Sequence, residues 1–306
     1  MPTLQQLRYL VAISETLHFR RAAEMTHVTQ PTLSGQLREL EEKLGVQLVE
    51  RSRSRVILTP TGTAIAARAR MVLRDVEDIV EMAKHGESVL GGTVRLGVLP
   101  SLGPYLLPHI LPELHRTYPD LKIYVREGVP RDLQHGLDQG HLDLLLFPLP
   151  IKGADLVSTR LFREPLWIVS SCDHRFAKQE NAQRADLKGE TVLTLEQGHR
   201  LHDQVRDLCQ EFDAHLSLDY EGTSLDTLRQ MVGMGMGISF LPALYVRSEV
   251  MHDKQVVARR LRSRAPFRMI GMIWRRQSAR QDEFFALADI IRDMLKSRVP
   301  EVAVMK

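Results

Sequence analysis

FRRAAEMTHVTQPTLSGQLRELEEKLGVQLVER, residues 19–51, is the stretch that decides the fold. Phe19 to Met25 predicts a short helix whose Ala22 and Ala23 let a second helix cross closely. Thr26 to Val28 fits a tight turn, Thr29 can cap the next helix, and Pro31 falls in the first turn, where its missing N–H costs nothing. Leu33, Leu37, Leu40 and Leu44 then form one buried stripe, and Gly45 supplies the C-terminal cap. The opposite face carries Pro31, Gly35 and Arg38, flanked by Thr32 and Ser34. A mid-helix glycine costs about 1 kcal/mol against alanine. Close approach to another surface is a physical reason to keep one at Gly35.

Small hydroxyls and amides on an N-terminal turn reach base edges and phosphates in a major groove. Thr29, Gln30, Pro31, Thr32, Ser34, Gly35 and Arg38 are therefore the candidate DNA-reading residues, with Arg20 and Arg21 just upstream. A solvated face on an ordinary helical hairpin is the plainer reading of the same pattern. The next segment, VQLVERSRSRVILT, favours DNA: two short strands, Val46 to Val49 and Arg55 to Leu58, with Arg51, Arg53 and Arg55 at or beside the turn. A basic β-wing after such a helix is placed to grip phosphates. Upstream, Leu4, Leu7, Leu10 and Val11 predict a first amphipathic helix.

Thr59 and Pro60 start a long helix in which Ile65, Ala69, Val72, Val76, Ile79 and Ala83 recur at coiled-coil spacing. A second copy of the chain is the simplest partner for that seam; packing on the downstream domain is the competing reading. Gly91-Gly92 then make a joint.

A chain of 306 residues is long enough for more than one core. Its 43% hydrophobic and 26% charged residues are ordinary for a globular protein. The opening MPTLQQLRYLVAISE lacks the basic start and unbroken apolar core of a signal peptide, and no window is apolar enough to span a bilayer. With two cysteines and no disulfide framework, a cytoplasmic protein is expected. The net charge of +3 is compatible with a polyanionic partner.

Beyond the joint, strands and helices alternate: Val94–Leu99, Pro104–Thr117, Leu121–Glu127, Arg131–Gln139 and Leu142–Phe147, then extended segments at Leu156–Phe162 and Leu166–Ser170. A second set follows: Thr191–Leu195, His199–Phe212, Leu218–Gly222, Ser224–Val232 and Ile238–Leu241, with late strands at Val256–Leu261 and Met269–Trp274 and a last helix at Gln281–Ser297. This order predicts parallel sheets with crossover helices, in two α/β subdomains flanking a cleft. Ligand candidates sit at strand ends and helix N-termini: Ser101, Pro130, Arg131, Phe147, His199, Arg200, Thr223 and Ser224. Ser101 and Ser224 singly also read as plain helix caps. GMGMG, Gly233 to Gly237, ends a helix and leads into a strand, the reverse of a dinucleotide fingerprint. No G-x-S-x-G elbow or H-E-x-x-H motif supports a hydrolase.

The N-terminal order resembles the LysR-type transcriptional regulators, and the α/β part extends that resemblance over essentially the whole chain. GPYLLPHILPELH, LEQGHRLHDQV and GTSLDTLRQMVGMGMGISFLP are most similar to its peroxide-sensing, OxyR-like subfamily. The resemblance implies an α/β fold with an all-α winged helix-turn-helix at residues 1–59, a coiled-coil linker helix at 60–90 and an effector domain at 91–306. That domain would comprise two Rossmann-like, periplasmic-binding-protein-like subdomains, the first 91–162 plus 267–306 and the second 163–266. Implied partners are promoter DNA, RNA polymerase, a small-molecule effector and further copies in a homodimer or homotetramer. No cofactor and no enzymatic activity are expected.

The sequence departs from the subfamily where its chemistry is made. The peroxide-reactive cysteine implied after the Gly-His pair is Arg200 here, while Cys209 matches the resolving cysteine. An arginine cannot be oxidised and condensed into a disulfide, but it can hold a carboxylate or phosphate. Ser101 and His199 match pocket positions, and Pro130 replaces a hydroxyl-bearing residue. The expected signal is a small polar or anionic effector. A second reading retains redox sensing through Cys172 and Cys209, and a third places a metal on His199, His202 and Asp203, which share one helical face.

Overall fold

The computed structural model describes residues 1–51, 55–85, 90–151, 153–219, 222, 224–262 and 265–305. Its contacts divide into two compact units, Met1–Gly92 with Gly136–Leu142, and Thr93–His135 with Asp143–Lys306.

In the first unit, α1 (Leu4–Thr16) begins with a capping box between Thr3 and Gln6. α2 (Phe19–Met25) and α3 (Gln30–Leu44) follow, with Thr29 accepting the Thr32 amide and Gly45 closing α3 at φ +67°. Leu10, Ile13, Ala22, Leu33, Leu37 and Leu40 make the core. The wing pairs β1 (Val49–Arg51) with β2 (Val56–Leu58), antiparallel. Its first strand starts later than the expected Val46, because the Val46 amide is spent on Glu41 O in the helix C-cap. Glu41 Oε1 also accepts the amides of Leu48 (2.8 Å) and Val49 (3.1 Å), fixing the chain into the wing.

α4 (Pro60–His85) starts from Thr59, whose hydroxyl donates to Gln47 O (2.9 Å) and accepts the Gly62 amide (2.9 Å). The helix crosses the wing so closely that a Cβ at Gly62 would land on Leu48 O. Among the six seam positions, Ala69 is buried within its own chain, Ile65, Val72 and Val76 are half-buried, and Ile79 is 64% exposed. The Ala83 side chain lies outside the described residues.

The second unit opens with β3 (Gly92–Val98), α5 (Gly103–Thr117), β4 (Leu121–Glu127), α6 (Pro130–Asp138) and β5 (Leu144–Leu149). Then come β6 (Leu156–Ser171), β7 (Asn181–Ala182), β8 (Thr191–Leu193), α7 (Arg200–Phe212), β9 (His215–Leu216), α8 (Leu225–Gly233), β10 (Ile238–Pro242) and α9 (Ala243–Ser248). β11 (Val256–Leu261), β12 (Phe267–Arg275), α10 (Gln281–Arg298) and β13 (Ala303–Val304) complete it. The strands join in the order β4-β3-β5-β12-β6-β10-β8-β9.

The crossover units are parallel, β3 with β5 and β8 with β9 and β10. β12 and β6 enter antiparallel, so the sheet is mixed rather than wholly parallel as the alternation suggested. The two extended segments expected at Leu156–Phe162 and Leu166–Ser170 are one sixteen-residue strand. Its Leu156–Pro165 part pairs with β12, and its Leu166–Ser171 part with β10 and β11. Of the strand expected at Leu218–Gly222, Tyr220 and Glu221 lie outside the described residues, Leu218 and Asp219 belong to no strand, and β9 forms earlier. Asp213 ends α7 in the left-handed region and His215 N bonds Glu190 O at once (2.8 Å), so the ladder forms earlier. Gly222 makes an isolated parallel bridge to Leu195. GMGMG ends α8 and turns into β10, with Gly237 packed against Thr191 O.

Candidate functional site

Register places a charge pair at the heart of the second unit. Arg268 on β12 faces Glu164 on β6 directly, and Arg268 Nε donates to Glu164 Oε2 at 2.6 Å. Glu164 is 0% exposed, and its other oxygen accepts the Leu244 amide at the start of α9 (3.0 Å). The guanidinium reaches on to the turn after β3, donating to Ser101 Oγ (3.0 Å) and Ser101 O (2.8 Å). A buried carboxylate with two partners and a buried guanidinium with three meet the requirement that buried charge be paired and hydrogen-bonded.

α7 meets this group with its N-terminus. Gly198 turns the chain at φ +96°, and His199 takes the N-cap position without a side-chain cap bond. His199 is 7% exposed; its Nε2 has no hydrogen-bond partner, and the Glu196 carboxylate stands 3.6 Å away. Arg200 stretches to the end of β5, donating to Pro150 O at 2.5 Å, and Gln204 Nε2 donates to Phe267 O at 2.8 Å. Leu99, Ser101, Pro148, His199, Arg200, Leu201, Gln204 and Arg268 together line a small cavity with about 10 Å³ of free volume. Its polar lining is guanidinium, hydroxyl, imidazole and amide, suited to a polar or anionic group.

Three expected residues, Ser101, His199 and Arg200, thus come together. Pro130 is buried at the start of α6, Arg131 is exposed, Phe147 is buried within β5, and Ser224 caps α8 through the Asp226 amide (3.1 Å). None of these four lines the cavity, and Thr223 lies outside the described residues. Sequence reasoning missed Arg268, Glu164 and Gln204. The available signal was charge inside two apolar strand runs, Arg163 and Glu164 in LFREPLWIVSS and Arg268 in FRMIGMIW.

The two thiols are unalike. Cys209 is 3% exposed on the core side of α7, and burial pushes its thiol up to about 11. Cys172 is exposed just after β6. Neither is in a disulfide. Of the proposed metal set, His202 Nδ1 is hydrogen-bonded with Leu195 O (2.8 Å) and Asp203 faces Arg206 (3.4 Å). Among the described residues no group of three His, Cys, Asp or Glu is arranged to hold a metal.

In the first unit, Thr29, Gln30, Pro31, Thr32, Gly35 and Arg38 lie exposed along α3, with Ser34 half-buried beside them. Arg20 and Arg21 are exposed on α2, Arg20 pairing with Glu24 at 3.1 Å. A Cβ at Gly35 would meet nothing within 4 Å. Arg55 is exposed at the wing; Arg51 belongs to β1 with its side chain undescribed, and Arg53 lies outside the described residues. Among the described residues no helix is long and apolar enough to cross a membrane.

Comparison with known proteins places both units. Residues 4–63 match the bacterial regulatory helix-turn-helix protein model of the lysR family, and residues 87–296 match the LysR substrate binding domain. The DNA-binding transcriptional dual regulator OxyR of Escherichia coli (strain K12) is 41% identical over 299 residues, 98% of each chain. Full-length Pseudomonas aeruginosa OxyR with a cysteine-to-aspartate substitution superposes with a TM-score of 0.79 at 37% identity, covering 95% of this chain and 98% of that one. An H2O2-bound cysteine mutant of Corynebacterium glutamicum OxyR gives 0.68 at 32% identity, covering 98% and 94%. With a helical winged domain, a curled mixed α/β domain and these matches, the chain belongs to the LysR family and is a DNA-binding transcriptional regulator, not an enzyme.

Proposed function

We propose that this regulator changes its promoter binding when a small polar or anionic effector enters the cavity of Ser101, His199, Arg200 and Arg268. The carrying observation is Arg268, pinned by Glu164 and Ser101 beside the uncapped start of α7. That arrangement is rigid, cationic and donor-rich where a ligand would sit. The exposed face of α3 from Thr29 to Arg38 would read the major groove, with Arg20, Arg21 and the wing arginines Arg51, Arg53 and Arg55 on phosphates. The exposed end of the α4 seam around Ile79 would pair with a second copy in a homodimer or homotetramer, and the DNA-bound assembly would contact RNA polymerase.

The test measures affinity for the promoter DNA of its own operon by fluorescence anisotropy, across a metabolite panel. At least one polar or anionic metabolite should shift that affinity, and Arg200→Ala should abolish the shift. A panel without effect, or a shift that Arg200→Ala leaves intact, refutes this assignment.

The relatives favour a second reading, a peroxide response, since several are hydrogen peroxide-inducible genes activators. Against it stand Arg200, where the subfamily resemblance implies the attacking thiol, and the buried, poorly ionisable Cys209. A Cys172→Ser/Cys209→Ser double variant that loses an oxidant response would favour sensing through these two thiols; one that keeps the response removes them as the sensor.

A further inference from the structure

We infer that Arg200 is a displaceable latch across the cleft, and that the group displacing it is a single carboxylate on a small molecule. This inference rests on the effector reading above and adds the ligand's charge and the event its binding triggers.

The first support is a charge count. Two guanidiniums line the cavity. Arg268 is compensated by Glu164 at 2.6 Å. Arg200 donates to a neutral carbonyl, Pro150 O, and no ion pair to a carboxylate is found for it among the described residues. One cation is left to compensate. A second negative charge would find Glu164 behind Arg268 and Glu196 3.6 Å from His199, both repelling it.

The second support is an unmet donor set. His199 Nε2 is buried in the same wall without a hydrogen-bond partner, the Glu196 carboxylate standing 3.6 Å away. Beside it α7, thirteen residues long, presents an N-terminus with no side-chain cap, where negative charge is favoured.

The third is room. With Arg200 on Pro150 O the cavity has about 10 Å³ free, roughly the space of a single water. A carboxylate enters only if the Arg200 side chain moves. It then exchanges one bond to a neutral carbonyl for an ion pair with a carboxylate, which a guanidinium can make bidentate. That exchange unties α7 from the end of β5, while Gln204 still holds the same helix to Phe267 O. Ligand capture and release of the cleft are thus one side-chain movement.

The test uses the full chain, isothermal titration and hydrogen exchange at constant ionic strength. Probes are acetate, acetamide (the same shape without charge) and oxalate. Acetate should bind, with acetamide and oxalate at least about tenfold weaker. Arg200→Gln should weaken acetate by at least about tenfold, and Arg200→Lys, which keeps the charge but not the fork, should fall between. Acetate should also raise amide exchange in the 144–151 peptide of the wild type to the level that unliganded Arg200→Gln shows. The inference is overturned if acetate fails to bind, if acetamide or oxalate matches it, if Arg200→Gln binds acetate unchanged, or if exchange in that peptide does not move. The effector reading survives those outcomes if another metabolite still shifts promoter affinity through Arg200, and fails only with the promoter experiment.

Discussion

Arg268 and Glu164 stand opposite each other on neighbouring antiparallel strands, and each also holds a turn outside its own strand: Ser101 for the arginine, Leu244 for the carboxylate. Removing one partner leaves an uncompensated buried charge. Glu164→Ala should therefore destabilise the chain by about 3–5 kcal/mol, read from urea unfolding. The double variant Glu164→Leu/Arg268→Met should recover most of that loss yet bind no effector. Equal stability of the single and double variants would refute the pairing argument.

Gly35 should show opposite effects on folding and DNA binding. Nothing within the chain crowds its Cβ position, so Gly35→Ala should raise stability by up to about 1 kcal/mol. Promoter affinity should fall, because the added methyl obstructs close approach to DNA. Thermal unfolding and anisotropy on one preparation separate the effects, and unchanged affinity would show that the glycine does not serve close approach to DNA.

Gly62 behaves in the contrary way. Its missing side chain lets α4 cross the wing at Leu48 O. Gly62→Ala should cost about 1–3 kcal/mol through overpacking and weaken DNA binding by shifting the wing. Wild-type stability in that variant would contradict the packing described.

The cysteines should separate by reactivity. Alkylation with iodoacetamide at neutral pH, followed by peptide mass mapping, should modify exposed Cys172 readily and buried Cys209 only on unfolding. Equal rates would show that α7 opens easily and would return Cys209 to consideration as a sensor.

Alkaline stability follows from the same burial. The folded Cys209 thiol is held at about 11 against an ordinary 9.0. Between those values the unfolded chain has lost its proton and the folded chain retains it, so stability falls as pH rises from 9 toward 11. Burial raises Tyr105 and Tyr245 in the same direction. Urea midpoints should drop across this range, and Cys209→Ala should flatten the first part of the slope. An unaltered slope would assign the loss to the tyrosines.

The winged domain was legible because each signal in residues 19–51 is local: a cap at Thr29, a leucine stripe, and a glycine at the left-handed end of α3. The cleft was legible only in part. Ser101, His199 and Arg200 announce themselves at strand-to-helix turns. Arg268 and Glu164 do not, since a charge in a strand reads as solvent-facing until register supplies its partner. The continuity of β6 was hidden for a related reason. Arg163, Glu164 and Pro165 break the apolar run between its two ends, although the ladder runs on through all three.

Those prolines have a mechanical consequence. Where β6 passes from pairing with β12 to pairing with β10, Pro165 stands opposite Phe267, and Pro266 just before β12 accepts the Leu166 amide at its carbonyl (2.8 Å). Two residues with no N–H to contribute lie at the same crossing. The Leu166–Pro266 pair therefore keeps one bond and lacks the return bond that Pro266 cannot donate, whereas Pro165 belongs to the neighbouring pair that exchanges none with β12. Giving position 266 its N–H back with Pro266→Ala should complete that pair and slow amide exchange where β6 changes partners, a change hydrogen exchange would read.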